Sequence, residues 1–205
     1  MRRIGGIRTF EDASFLKGAA RLSVMVALAG GALCALWLVG LGLGCPIAPS
    51  IEFAAGGSAP VWRWNLSLFA IVVLSLVAHE LVHAIAFRAF APKGTKVRFG
   101  ADWRLGLFFA CAEGIVYTRR QYLAIALAPS VVVTIALIFA GALLQWPLWG
   151  LLASVAHLTG CTGDWAYARA ILGDRTITHC EDTSWGVCFY ADDGRDSDLD
   201  GGDGA

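Results

Sequence analysis

Four runs of mostly apolar residues, roughly Ala19–Leu43, Asn65–Phe90, Tyr122–Leu144 and Leu148–Leu172, set the terms on which this chain can fold. A bilayer core is crossed by about 20 residues of helix. Inside lipid every backbone polar group must find a partner within the protein, so runs of this length read as helices. With 57% of residues hydrophobic and 16% charged, an ordinary soluble domain is excluded. The expected fold is an all-α membrane protein of about four transmembrane helices. Arg2, Arg3 and Arg8 precede the first run as they would a signal peptide. That run is longer than a signal h-region, and it reads as a spanning helix.

Basic residues orient the helices. Arg2, Arg3, Arg8, Lys17 and Arg21 lie before or at the start of the first run, and Arg63 alone falls between the first and second. Arg88, Lys93, Lys96, Arg98, Arg104, Arg119 and Arg120 crowd the connection at 88–120, and none falls at 145–149. The pattern gives a multi-pass protein of the cell membrane with both termini cytoplasmic. Trp62, Trp64, Trp146 and Trp149 then form an aromatic belt at the outer interface. Within 88–120, alternation in Lys96–Phe99 and strand formers at Leu105–Phe109 and Ile115–Tyr117 predict a short β-hairpin between helices 2 and 3. Residues 1–173 hold 14 basic and 7 acidic side chains, whereas 174–205 hold 2 and 9. Residues 173–205 are therefore expected to be an acidic, largely disordered cytoplasmic tail, leaving 1–172 as the membrane domain with its core at 60–172.

The second run contains His79-Glu80-Leu81-Val82-His83. Histidines four apart stand on one helix face and can share a metal ion. A glutamate between them is the group that takes a proton from metal-activated water in zinc hydrolases. Ionisable groups are costly inside a bilayer and mark function there. Asp164 is the candidate third ligand. His79 and Asp164 each lie about 14 residues, roughly 21 Å, from the outer end of their runs, so they meet at one depth. His157 stands two turns before Asp164, about 10 Å above it on the same face. There it would hydrogen-bond a substrate carbonyl or oxyanion. Glu113 reads as a hairpin carboxylate. His179, Cys180 and Cys188 form a possible second metal cluster without the paired spacing of a structural zinc site.

His79-Glu80-Leu81-Val82-His83-Ala84, Leu127-Ala128-Pro129 after Arg119-Arg120-Gln121-Tyr122, and Gly163-Asp164 together resemble a family of membrane zincin peptidases catalogued as a domain of unknown function. The chain is more distantly similar to the site-2 proteases, intramembrane metalloproteases. The resemblance spans roughly 60–172. It implies Zn2+ held by His79, His83 and Asp164, with Glu80 as general base. The family usually has asparagine seven residues before the aspartate, where this chain has His157. The site-2 pattern Asn-Pro-x-x-x-x-Asp-Gly is absent.

The expected activity is zinc-dependent hydrolysis of peptide bonds in membrane or membrane-proximal proteins, with Glu80 and His157 as catalytic groups. The partners are a protein or peptide substrate and the lipid bilayer, and no nucleic acid. Two other classes use the same residues: an intramembrane metal-ion carrier, and a membrane scaffold that holds zinc without catalysis.

Overall fold

The computed structural model describes residues 1–43, 61–102 and 107–192. In chain order the elements are β1 (Arg2–Arg8), α1 (Ala13–Gly42), α2 (Val61–Phe90), β2 (Arg98–Asp102), β3 (Leu107–Cys111), β4 (Val116–Thr118) and α3 (Arg119–Leu143). They continue with α4 (Pro147–Gly160), α5 (Thr162–Gly173), β5 (His179–Thr183) and β6 (Gly186–Ala191). The protein is mostly helical. Of its helices, α1, α2 and α3 are long and apolar enough to cross a membrane. Their outer faces carry Leu28, Leu36, Phe69, Val77, Ile135 and Phe139, all exposed. Water would not tolerate such a surface, and lipid would.

The helices approach closely where side chains are smallest. A β-carbon on Gly141 of α3 would lie 2.7 Å from the Cα of Gly150 of α4, so the two backbones meet there. Gly30 of α1 plays the same part against Val155 of α4, where an added Cβ would fall 2.4 Å from a valine methyl. Val133, Leu137 and Ala153 form a small core with Leu68, Ile71, Ala78 and Val82 of α2. Trp149 is only 4% exposed and donates to the Ser67 hydroxyl at 3.1 Å. It therefore packs between α4 and α2 rather than facing lipid as a belt residue.

The fourth apolar run is two helices, not one. They join at Cys161, whose N–H reaches the Leu158 carbonyl (3.2 Å) in a tightened last turn. The Thr159 and Thr162 hydroxyls bond the carbonyls of Ala156 and Thr159, competing with the helical ladder at the joint. The described residues thus hold five helices, three of them long and apolar enough to cross a membrane.

The strands correct the reading of the tail. Residues 179–191, expected to be disordered, form the β5–β6 hairpin at the centre of a four-stranded antiparallel sheet ordered β1-β6-β5-β4. The pleat buries Cys180, Val187, Cys188 and Phe189. Cys180, Val187 and Phe189 pack with Phe87, Tyr117, Tyr122, Ile125 and Ile171 in the main core. That burial offsets the ordering entropy which the acidic composition seemed unable to meet. The acidic run from 193 onward lies outside the described residues. β1 was not expected from the sequence either. It pairs with β6 from Arg2↔Ala191 to Arg8↔Gly186, and Arg3 and Arg8 each lie 5.5 Å over the Trp185 ring. β2 and β3 form a separate antiparallel pair between α2 and α3.

Local chemistry fixes the entries to the helices. Asp12 accepts the Ser14 and Phe15 N–H groups at 2.9 and 3.0 Å and starts α1. Thr118 and Gln121 form a reciprocal capping box at the start of α3. Arg119 then reaches the carbonyls of Leu172, Asp174 and Ile177, tying the end of α5 and the approach to β5 back to α3. The sheet therefore gathers the segments before α1, before α3 and after α5 at one end of the helices.

Candidate metal centre

α2 carries His79, Glu80 and His83 on one face, as a spacing of four on a helix requires. Both imidazoles are 8% exposed. Their Nε2 atoms are 3.1 Å apart. Asp164, in the first turn of α5, places Oδ2 3.2 Å from His79 Nε2 and Oδ1 3.4 Å from His83 Nε2. Ligands at about 2.0–2.2 Å from a tetrahedral ion stand about 3.3–3.6 Å apart, so the two nitrogens and the Asp164 carboxylate lie close enough together to share one ion. The donor set of two imidazoles and a carboxylate suits zinc, and all three residues line one cavity.

The ligands' rear atoms are held as well. His83 Nδ1 lies 3.1 Å from the Ile125 carbonyl. Within α3 that carbonyl would normally accept from residue 129, which is Pro129 and has no N–H. The proline thus frees an acceptor for His83, and an Nδ1–H donor there directs Nε2 at the metal position. His79 Nδ1 faces His157 Nε2 at 3.3 Å, and His157 Nδ1 faces the Thr134 hydroxyl at 3.2 Å. The sequence separates His157 from Asp164 by two turns, yet the two residues flank one imidazole. His157 is 1% exposed and does not line the cavity, so it stands behind His79 rather than where a substrate carbonyl would lie.

The cavity has a volume of about 170 Å³ and is lined by His79, Glu80, His83 and Asp164 on the helical side. Glu80 Oε1 is 4.0 Å from His79 Nε2, and the Ala110 N–H of β3 bonds its carboxylate. Opposite stand Thr9, Phe10, Phe109, Asp182, Thr183 and Ser184. Asp182 accepts from the Tyr122 hydroxyl at 2.8 Å, and burial pushes its carboxyl up to about 7. Sequence reasoning missed this carboxylate because it counted residues 173–205 as tail. The readable signal was Val187-Cys188-Phe189-Tyr190, a run of strand formers directly after Gly186.

The remaining candidates do other work. Glu113 is exposed, accepts the Ser184 N–H at 2.9 Å and pairs with Arg98 at 3.7 Å, which joins two turns. The Ser184 bonds hold its carboxyl below the usual range. His179, Cys180 and Cys188 do not converge. Cys180 is opposite Phe189 and Cys188 opposite Glu181, so the pleat sends the two thiols to different faces. His179 instead faces Asp192 at 3.4 Å.

Comparison with known families bears on the same residues. A family model described as "Putative zincin peptidase" matches residues 50–176, more than half of the chain. The chain belongs to this zincin peptidase family. No curated protein and no solved structure shows a match. The zincin match contains His79, Glu80, His83 and Asp164, but it ends before β5. The wall of the cavity supplied by Thr9, Phe10 and the β5–β6 hairpin therefore lies outside it.

Proposed function

We propose that this zincin is an integral-membrane metallopeptidase that cuts extended segments of membrane or membrane-proximal proteins. The observation that carries the reading is the convergence of His79, His83 and Asp164 beside Glu80 on the wall of one cavity. Zinc, when held there, supplies a Lewis acid for the scissile carbonyl and makes a water acidic near neutral pH. Glu80 takes the water's proton and later gives it to the leaving amine. The Ala110 N–H aims the Glu80 carboxylate, and β3 has its outer edge beside the cavity. Among the described residues that edge pairs with no strand, so an unwound substrate has a backbone to align on. By the distribution of Lys and Arg, the end of the helices carrying the sheet is cytoplasmic.

Glu80→Gln tests the mechanism. Cleavage should fall by at least about 10²–10⁴-fold while one zinc per chain is retained. Proteolysis at the wild-type rate in this variant would sink the hydrolase reading and leave a zinc-holding scaffold. A carrier would instead show zinc flux through reconstituted vesicles that Asp164→Ala abolishes.

A further inference from the structure

Resting on the metallopeptidase reading, we infer that His157 is a positioning residue: with Thr134 it fixes the tautomer and plane of the metal ligand His79. A neutral imidazole carries one N–H, and a metal on Nε2 requires the proton on Nδ1. His79 Nε2 faces Asp164 and His83, so Nδ1 bears the proton and donates to His157 Nε2 at 3.3 Å. His157 Nε2 is then an acceptor, and its own proton sits on Nδ1, where the Thr134 hydroxyl oxygen accepts it at 3.2 Å. Each link dictates the next, and the chain runs from α2 through α4 to α3. His79 and His157 are 8% and 1% exposed, so water does not compete for these bonds.

Cys161 lies beside this chain and, with His79 and His157, makes a second group of possible ligands. The geometry favours the relay over a second metal. Cys161 Sγ is 3.8 and 3.7 Å from the two ring nitrogens of His157, so it lies in line with neither lone pair, and it is 3.7 Å from His79 Nδ1, farther than the 3.3 Å at which His157 Nε2 faces that atom. Its thiol donates to the His157 carbonyl at 3.4 Å instead.

The test is zinc titration of the full-length chain in detergent, for wild type, His157→Leu, His157→Gln and Thr134→Val. His157→Leu should bind zinc about 10- to 100-fold more weakly, the usual cost of losing a partner behind a metal-bound histidine. His157→Gln can place an amide oxygen where Nε2 stood and should recover most of the affinity. Thr134→Val removes only the second link and should fall between them. Cobalt(II) spectra of the variants check that the ligand set at the metal is unchanged. Equal affinity in wild type, His157→Leu and Thr134→Val overturns the positioning role. Two zinc ions per chain, falling to one in Cys161→Ser, would overturn it by making His157 itself a ligand. If the wild type binds no zinc, the metal centre fails first and the inference falls with it.

Discussion

Pro129 breaks the hydrogen-bond ladder of α3 at the one carbonyl that His83 uses. In a helix interior proline costs about 3 kcal/mol relative to alanine, so the position gives up helix stability for an acceptor aimed at a ligand. Pro129→Ala restores an N–H within reach of Ile125. Zinc affinity should fall by about 10-fold while the metal-free chain melts higher. Wild-type affinity in that variant would mean that the Ile125 carbonyl serves both donors. Asp182 offers a pH test. Its carboxyl moves from 3.8 to about 7 on folding, so the folded chain holds the proton more tightly than the unfolded one. This group's stabilisation is full at low pH, is lost as pH rises between those two values, and changes no further above about pH 7. Asp182→Asn keeps an acceptor for Tyr122 and removes the titration. Relative to wild type its melting temperature should therefore rise with pH across that window, and parallel curves would show that burial does not shift Asp182. The sequence made His79 and His83 legible because helical spacing is local. Asp164 was reached through matched depth along the apolar runs and through the family resemblance. The Ile125 carbonyl has no side-chain signature beyond the proline four residues on.

At the level of elements, the roof over the cavity depends on how β1 docks. Gly186 has φ 141°, and a β-carbon there would lie 2.0 Å from the Ile7 carbonyl oxygen. Gly186→Val should release β1 from β6 and cost about 1–3 kcal/mol. Hydrogen exchange at residues 2–8 would rise sharply, while the amides of α2 and α3 stay protected. Unchanged protection of β1 would show that the sheet shifts to admit the side chain. The three long helices were legible because their composition leaves lipid as the only compatible solvent. The hairpin was not, because its buried strand sits between Glu181-Asp182 and Asp192, and the acidic average hid a short run of strand formers. The joint at Cys161 was also hidden, since glycine and threonine are common inside membrane helices.

Across the whole molecule, the sheet sets which segments share one end of the helices. All three lysines, Lys17, Lys93 and Lys96, lie towards the end of the helices that the strands occupy. A membrane-impermeant amine reagent should therefore label them together, in inside-out vesicles and not in right-side-out ones. Labelling of Lys93 and Lys96 from the outer face would reverse the proposed orientation. Charge bias in the sequence is the basis of the proposed orientation, but the gathering of β1, β4, β5 and β6 is a long-range pairing that no local pattern encodes. That pairing also imposes an order in time. Chains emerge from the ribosome amino end first. His79, His83 and Asp164 have all been made before β5 and β6 exist, and β1 cannot dock until β6 has followed. The residues that gather at the candidate metal centre thus precede its cover in the chain, and the cavity's last wall is the last part of it to be supplied.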